Sequence, residues 1–323
     1  MIRSALLAAV AALGLAMLVP AADPGRVSVA IRAAPVPLAR GDAAVVRSGA
    51  LVYLGGWSLD SADARFGGLS SMAIVGNRLL AISDAGSTFE FRMHGERIAS
   101  AWIAPLPGGP GRADNKKNRD SESLAVDPAT GATWVGFENS NQIWRYDARQ
   151  TRAEAHSAPA AMAKWPVNSG AEAMVRMRDG RFMVLAEDAP GPDNSGAAVL
   201  FTGDPTAAGS ESIRFGYRAP AGYVPTDIAQ LPDGRLLALH RRFSILDGFS
   251  AVLSIFDPAD VVSGEAIEGI AVARLAPPLT VDNMEALAVT QERGRTIVWI
   301  ASDDNFNAIQ RTLLMRFALD LRR

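Results

Sequence analysis

The sequence predicts an all-β fold, a β-propeller of four-stranded blades. Three observations predict it: a unit of about 50 residues that recurs five times, hairpin turns at the same place in each copy, and a strand near the N-terminus with no local partner. Each unit reads as an acidic or small residue, a short apolar strand, a polar turn, a second apolar strand and a polar or acidic cluster. Copies begin at residues 68, 122, 172, 226 and 285, in steps of 54, 50, 54 and 59 residues, which suits four-stranded blades better than solenoid turns of 20 to 30.

In the first copy, Gly68 to Ile74 is followed by a Gly76-Asn77 turn, a strand from Leu79 to Ile82, and Ser83-Asp84. The second runs from Glu122 to Val126, turns at Asp127 to Gly131, and continues from Thr133 to Phe137 before Glu138-Asn139. The third has Glu172 to Val175, the turn Arg178-Asp179-Gly180, a strand to Leu185 and then Glu187-Asp188. The fourth has Thr226-Asp227-Ile228-Ala229, Pro232-Asp233-Gly234, Leu236 to Leu239 and His240-Arg241-Arg242; the fifth has Glu285 to Val289, Glu292-Arg293-Gly294, Thr296 to Ile300 and Ser302-Asp303-Asp304-Asn305. Asp-Gly between apolar runs marks a hairpin, because glycine takes the positive φ of a tight turn. Third strands are expected at Gln142–Tyr146, Ala197–Phe201, Ala251–Phe256 and Thr312–Phe317, and the stretch Ala50–Leu59 is expected to close the last blade as its outer strand. Five blades is the direct count, and a sixth would have to hide in a long connection.

Residues 1–22 have the pattern of a secretory signal: Arg3, an apolar run from Ala5 to Val19 that is short for a bilayer span, and small residues at Ala21-Ala22. Residues 23–44 read as a linker and 45–323 as one propeller domain, so the expected location is periplasmic or secreted, with no stable membrane insertion after cleavage. The absence of cysteine excludes disulfides, iron-sulfur clusters and a thiol nucleophile. A net charge of -2 with 20% charged residues predicts no general affinity for nucleic acid, and the chain reads as a monomer. Nucleophile-elbow, phosphate-loop and dinucleotide-binding glycine patterns are absent.

In an antiparallel hairpin the start of the first strand lies beside the end of the second. Glu122 should therefore approach Glu138, Glu172 should approach Glu187 and Asp188, and Glu285 should approach Asp303 and Asp304, all around one mouth of the channel. So many carboxylates need compensation, since like charges repel and raise one another's pKa. Oxygen ligands, no cysteine and three unclustered histidines point to calcium or magnesium rather than zinc. The same side chains can instead cap strand ends and bond turn amides. Arg119, Arg241, Arg242 and Arg311 stand at the same level of the repeat and suit an anionic substrate such as a phosphate ester.

The segments Arg119-Asp120-Ser121-Glu122-Ser123-Leu124-Ala125, Asn168 to Ala173, His240 to Ser244, Asp282-Asn283-Met284-Glu285-Ala286-Leu287 and Ser302 to Phe306, with Gln310-Arg311-Thr312 behind, resemble the bacterial phytase-like family described as having esterase-like activity of phytase. The resemblance covers residues 45 to 320 and implies an exported propeller distantly similar to calcium-dependent propeller phytases, in which calcium and basic side chains hold phosphates and a metal-activated water attacks phosphorus. The leading reading is a metal-dependent phosphoesterase or related esterase, with Glu122, Glu172 and Glu285 as candidate catalytic residues that also hold metal, Asp303, Asp304, Glu187, Asp188 and Glu138 as candidate cation ligands, and one carboxylate as general base; the resemblance leaves Arg119, Arg241, Arg242 and Arg311 as the phosphate contacts. The dense lysine set of a phytate binder is missing, which favours other phosphoesters. A non-catalytic binding propeller and a calcium-dependent lactonase-like esterase are the alternatives.

Overall fold

A computed structural model describes residues 25–94, 97–112 and 115–321. The expected signal segment lies outside them, and no helix among the described residues is long and apolar enough to cross a membrane. Five sheets, each built on four antiparallel strands, form five blades. The first strand of each lies innermost, against the innermost strands of its two neighbours, so that the five enclose an axial channel.

Blade 1 is Leu69–Val75, Arg78–Ser83, Ser87–His94 and Arg97–Pro105; blade 2 is Ser121–Val126, Thr133–Phe137, Gln142–Tyr146 and Ala153–Ser157. Blade 3 is Ala171–Arg176, Phe182–Pro190, Gly196–Phe201 and Ser212–Arg218; blade 4 is Val224–Gln230, Leu236–Ser244, Gly248–Phe256 and Ile270–Leu275. Blade 5 takes Asn283–Glu292, Arg295–Asp303 and Thr312–Leu319 from the C-terminal part of the chain, and Leu51–Asp60 from near the N-terminus. That strand pairs antiparallel with Thr312–Leu319 and closes the ring, as its lack of a local partner predicts.

Two expectations are corrected here. Leu51–Asp60 is not the outermost strand of its blade, because Arg32–Pro35 pairs along its far edge. Nor is the stretch before residue 45 a plain linker: Val27–Val29 pairs with the outer strand of blade 1, and Leu38 is buried in the core. The physical reason is edge protection, since an exposed outer strand presents unpaired amides that short edge strands can satisfy.

Packing between blades supplies the cores. Phe66 meets Phe89 and Phe91 edge-on between blades 5 and 1, and Trp134 meets Phe182 edge-on at 4.9 Å between blades 2 and 3. Met162 and Met174 are fully buried, in keeping with a core-filling role.

One irregularity repeats in every blade. The innermost strand carries one extra residue at the same register: Ser70, Glu122, Glu172, Thr226 and Glu285 in blades 1 to 5. In each case the two flanking or adjoining residues pair with consecutive residues of the second strand, for example Ala171 with Ala186 and Ala173 with Leu185. A β-bulge of this kind re-aims its side chain. It also realigns the first copy of the repeat, whose equivalent position is Ser70 rather than Gly68.

Candidate metal centre

The bulges and the ends of the second strands together build the mouth of the channel. One residue past the bulge's partner on the second strand stand Asp84, Glu138, Glu187, Arg241 and Asp303 in blades 1 to 5. Two tiers result: the bulge residues, three of them glutamates, and a second tier of four acids and one arginine.

The carboxylates form two triads whose oxygen atoms lie within 4.8 Å of one another, Asp120/Glu122/Glu138 and Glu138/Glu172/Glu187. Glu138 belongs to both. Arg241 completes the ring, with Nη2 2.7 Å from Glu187 Oε1 and Nε 2.9 Å from Glu285 Oε1. Asn283 Nδ2 donates to Glu285 Oε1 at 2.8 Å, Lys116 Nζ lies 2.7 Å from Asp84 Oδ2, and Asn139 Nδ2 donates to Asp120.

Burial, and then neighbouring negative charge, push these acids up together. Glu138 reaches about 7, through burial, Asp120 and Glu187. Asp303 reaches about 7, through burial with Asp84 and Asp304, and Glu285 about 8, where burial and Asp303 outweigh the opposing Arg241. Glu122 and Glu172 are driven well above the ordinary glutamate range, first by burial and then by the surrounding carboxylates. Asp120 and Glu187 rise too, again chiefly through burial. Eight acids (Asp84, Asp120, Glu122, Glu138, Glu172, Glu187, Glu285 and Asp303) thus face the half-buried guanidinium of Arg241 and the ammonium of Lys116. This excess of oxygen donors over cations fits a hard divalent cation.

Several expected site residues lie elsewhere. The carboxylate of Asp304 accepts from Gly68 N (2.9 Å), Phe306 N (3.0 Å) and Thr312 Oγ1 (2.9 Å), so it latches blade 5 to blade 1 instead of facing the triads. Its turn runs through Asn305 and Phe306 in the left-handed region, with φ of 48° and 49°. Asp188 is exposed, one residue beyond the second tier, since consecutive strand residues alternate faces. Arg119 is wedged against Gly86 and Gly109, where a β-carbon on either glycine would collide with its side chain. Arg311 is engaged by Asp282 at 3.3 Å and by the Val281 carbonyl. Among the described residues, the one ion pair of Arg242 is a 3.9 Å contact with the exposed Asp247. His240 is structural: its Nδ1 lies 3.0 Å from the Val252 carbonyl, Nε2 lies 2.8 Å from the Tyr217 hydroxyl, and burial lowers its pKa to about 4.

Three contributors escaped the sequence reading. Asp84 follows the second strand of blade 1 and Asp120 precedes the first strand of blade 2, and aligning the first copy on Ser70 rather than Gly68 would have put Asp84 in the second tier. Lys116 had no such signal, because it comes from a long connection.

Arg241 links the two tiers, which sets an expectation. Arg241→Gln should cost about 3–5 kcal/mol at pH 8, by leaving Glu187 and Glu285 without their counter-ion. The loss should shrink at pH 5, well below the value of about 8 that Glu285 reaches, where that glutamate is protonated. Urea unfolding at the two pH values measures both, and an equal loss at each would show that the pairing is not what matters.

A family model described as "Phytase-like: Esterase-like activity of phytase" matches residues 64–306. No curated protein sequence matches the chain. Among solved structures, the glutaminyl cyclase of Myxococcus xanthus aligns at 10% identity with a TM-score of 0.46, over 84% of this chain and 97% of that one. A chain of a nidogen/laminin complex aligns at 9% identity with a TM-score of 0.44, over 80% and 89%. Neither likeness bears on the chemistry at the mouth.

Proposed function

The chain belongs to the phytase-like family of esterase-like activity, and from that premise we propose that it is an exported, monomeric, calcium-dependent hydrolase of phosphate esters or related esters. The observation that carries this reading is the pair of carboxylate triads sharing Glu138. Glu138 with Asp120 and Glu122, or with Glu172 and Glu187, would hold the ion. Bound calcium would polarise the ester and make a nearby water more acidic.

The chain's own groups account for the rest. Glu122, Glu172 and Glu285 are aimed at the axis by their bulges, and once ionised one of them takes the proton of the attacking water. Arg241 pairs with Glu187 and Glu285 and so holds them in place. The anionic end of a substrate would meet Lys116, which pairs with Asp84 and stands over the Phe306 ring at 5.9 Å.

Calcium titration by calorimetry at pH 8, followed by a screen of phosphate, carboxylate and lactone esters with and without chelator, tests the proposal. Saturable binding and chelator-sensitive turnover of a phosphoester are expected. Glu138→Gln should weaken calcium by about tenfold or more, because it removes a ligand from both triads. Glu285→Gln, which lies outside both triads, should retain calcium yet lose about 10²–10⁴ in kcat. No binding at millimolar calcium would sink the reading, and turnover confined to lactones would redirect it to the lactonase alternative.

A further inference from the structure

The channel has a second end, and its chemistry differs from that of the carboxylate mouth. Below the bulges the axis is plugged by Asp227, which is 1% exposed. Its carboxylate accepts from Leu287 N (2.7 Å), Ile228 N (2.8 Å), Ser71 Oγ (3.0 Å) and the Met72 amide, while Ser71 Oγ accepts from Leu124 N at 3.2 Å. Inward-facing amides from blades 1, 2, 4 and 5 are thus satisfied by one carboxylate and one hydroxyl.

Beyond this plug lies a cavity of about 430 Å³ lined by the far halves of all five innermost strands. Strand geometry repeats every two residues, so the residues two further on present their main-chain groups to the same edge. They are Ile74, Val126, Arg176, Gln230 and Val289, and all five line the cavity. The hairpin bonds agree with this phase: Met177 N donates to Arg181 O, Asp127 N to Ala132 O and Leu231 N to Arg235 O, which turns their predecessors Arg176, Val126 and Gln230 toward the axis.

Charge at this end is also distinct. Arg178 donates to the Leu231 and Pro232 carbonyls, both at 3.0 Å, and among the described residues no carboxylate meets its guanidinium. Arg176 lies 3.5 Å from Asp127. Two guanidiniums and one carboxylate leave the cavity positive, and Ile74, Val126 and Val289 give it apolar wall.

We propose that this cavity is a second binding site, independent of metal, for a small organic carboxylate with an apolar body. Its anionic end would take the axial amides together with Arg176 and Arg178, as Asp227 takes the amides one level above, and its body would pack on the aliphatic walls. The volume suits a ligand of benzoate size or somewhat larger.

The test is calorimetric titration of benzoate into the chelator-treated full-length protein, beside Arg178→Gln, Arg176→Gln and Glu122→Gln. Saturable binding with a dissociation constant on the order of 1 mM or tighter is expected, weakened about fivefold to tenfold in either arginine variant and unchanged in Glu122→Gln. Arg178→Lys, which keeps the charge, should bind more tightly than Arg178→Gln. Acetate should bind more weakly than benzoate because it lacks the apolar body. Absence of saturable benzoate binding, or binding indifferent to both arginine variants, overturns the proposal. Loss in Glu122→Gln alone would place the anion at the opposite mouth and overturn it equally. Calcium does not enter the measurement, so its outcome is separate from that of the hydrolase reading.

Discussion

Chelator-treated protein should lose thermal stability as the pH rises from 5 to 8.5, and calcium should return it only at the upper end. The sign follows from the acids at the mouth. Glu138 and Asp303 at about 7 and Glu285 at about 8 sit above the ordinary carboxylate range in the folded chain. The folded state therefore binds more protons than the unfolded state between about pH 4.5 and 8, and its stability falls across that window. Below the window both states are protonated and the contribution is fully present; above pH 8 it is gone. Several coupled groups together should shift the melting temperature by about 5–10 °C.

Calcium reverses the trend, because it takes the place of the protons and needs the ionised ligands. Millimolar calcium should raise the melting temperature by several degrees at pH 8.5 and by almost nothing at pH 5. Differential scanning calorimetry at four pH values, with calcium and with chelator, checks this. A melting temperature that rises with pH without calcium would mean that the ring is ionised and compensated within the protein, and the case for a cation would collapse with it.

The second large effect concerns Asp227. Asp227→Ala would leave the Leu287, Ile228 and Met72 amides and the Ser71 hydroxyl without their acceptor on the axis. Each such loss is worth about 1–3 kcal/mol when water cannot replace the partner. A total of about 3–6 kcal/mol is therefore expected, which would place Asp227→Ala among the most damaging single changes in the chain. Asp227→Asn should also destabilise, since its amide would point at least one donor at another donor. Burial pushes the Asp227 carboxyl well up, and the surrounding donors oppose that by favouring the ionised form. Ser71→Ala, which removes one link, should cost less. Guanidinium unfolding of the three variants measures the series, and a loss under about 1 kcal/mol for Asp227→Ala would show that water fills the plug at little cost.

Much of the mouth was legible before the fold was known. Glu122 beside Glu138 and Glu172 beside Glu187 follow from hairpin geometry alone, because both partners lie within one blade and a short turn sets their register. Asp304 and Arg119 were not legible in this way. Their positions depend on which residues of another blade or of a long connection they meet: Gly68 for Asp304, Gly86 and Gly109 for Arg119. Arg241 was legible as a basic residue at the right level, yet its partners Glu187 and Glu285 come from the blades on either side.

What the amino-acid order determined on its own is therefore whatever local spacing controls. This includes the five repeats, the hairpins, the need for the strand at residues 51–60 to find a distant partner, and the acids at the strand ends. Tertiary structure decided what depends on ring closure. It placed Glu138 between two triads, turned Arg241 from a candidate anion contact into a counter-ion for its neighbours, and set Asp227 on the axis as an internal ligand for amides of several blades. The physical reason is that a hairpin fixes separations through short-range backbone bonds, whereas the burial and the summed field that shift these acids arise only when five blades converge on one axis.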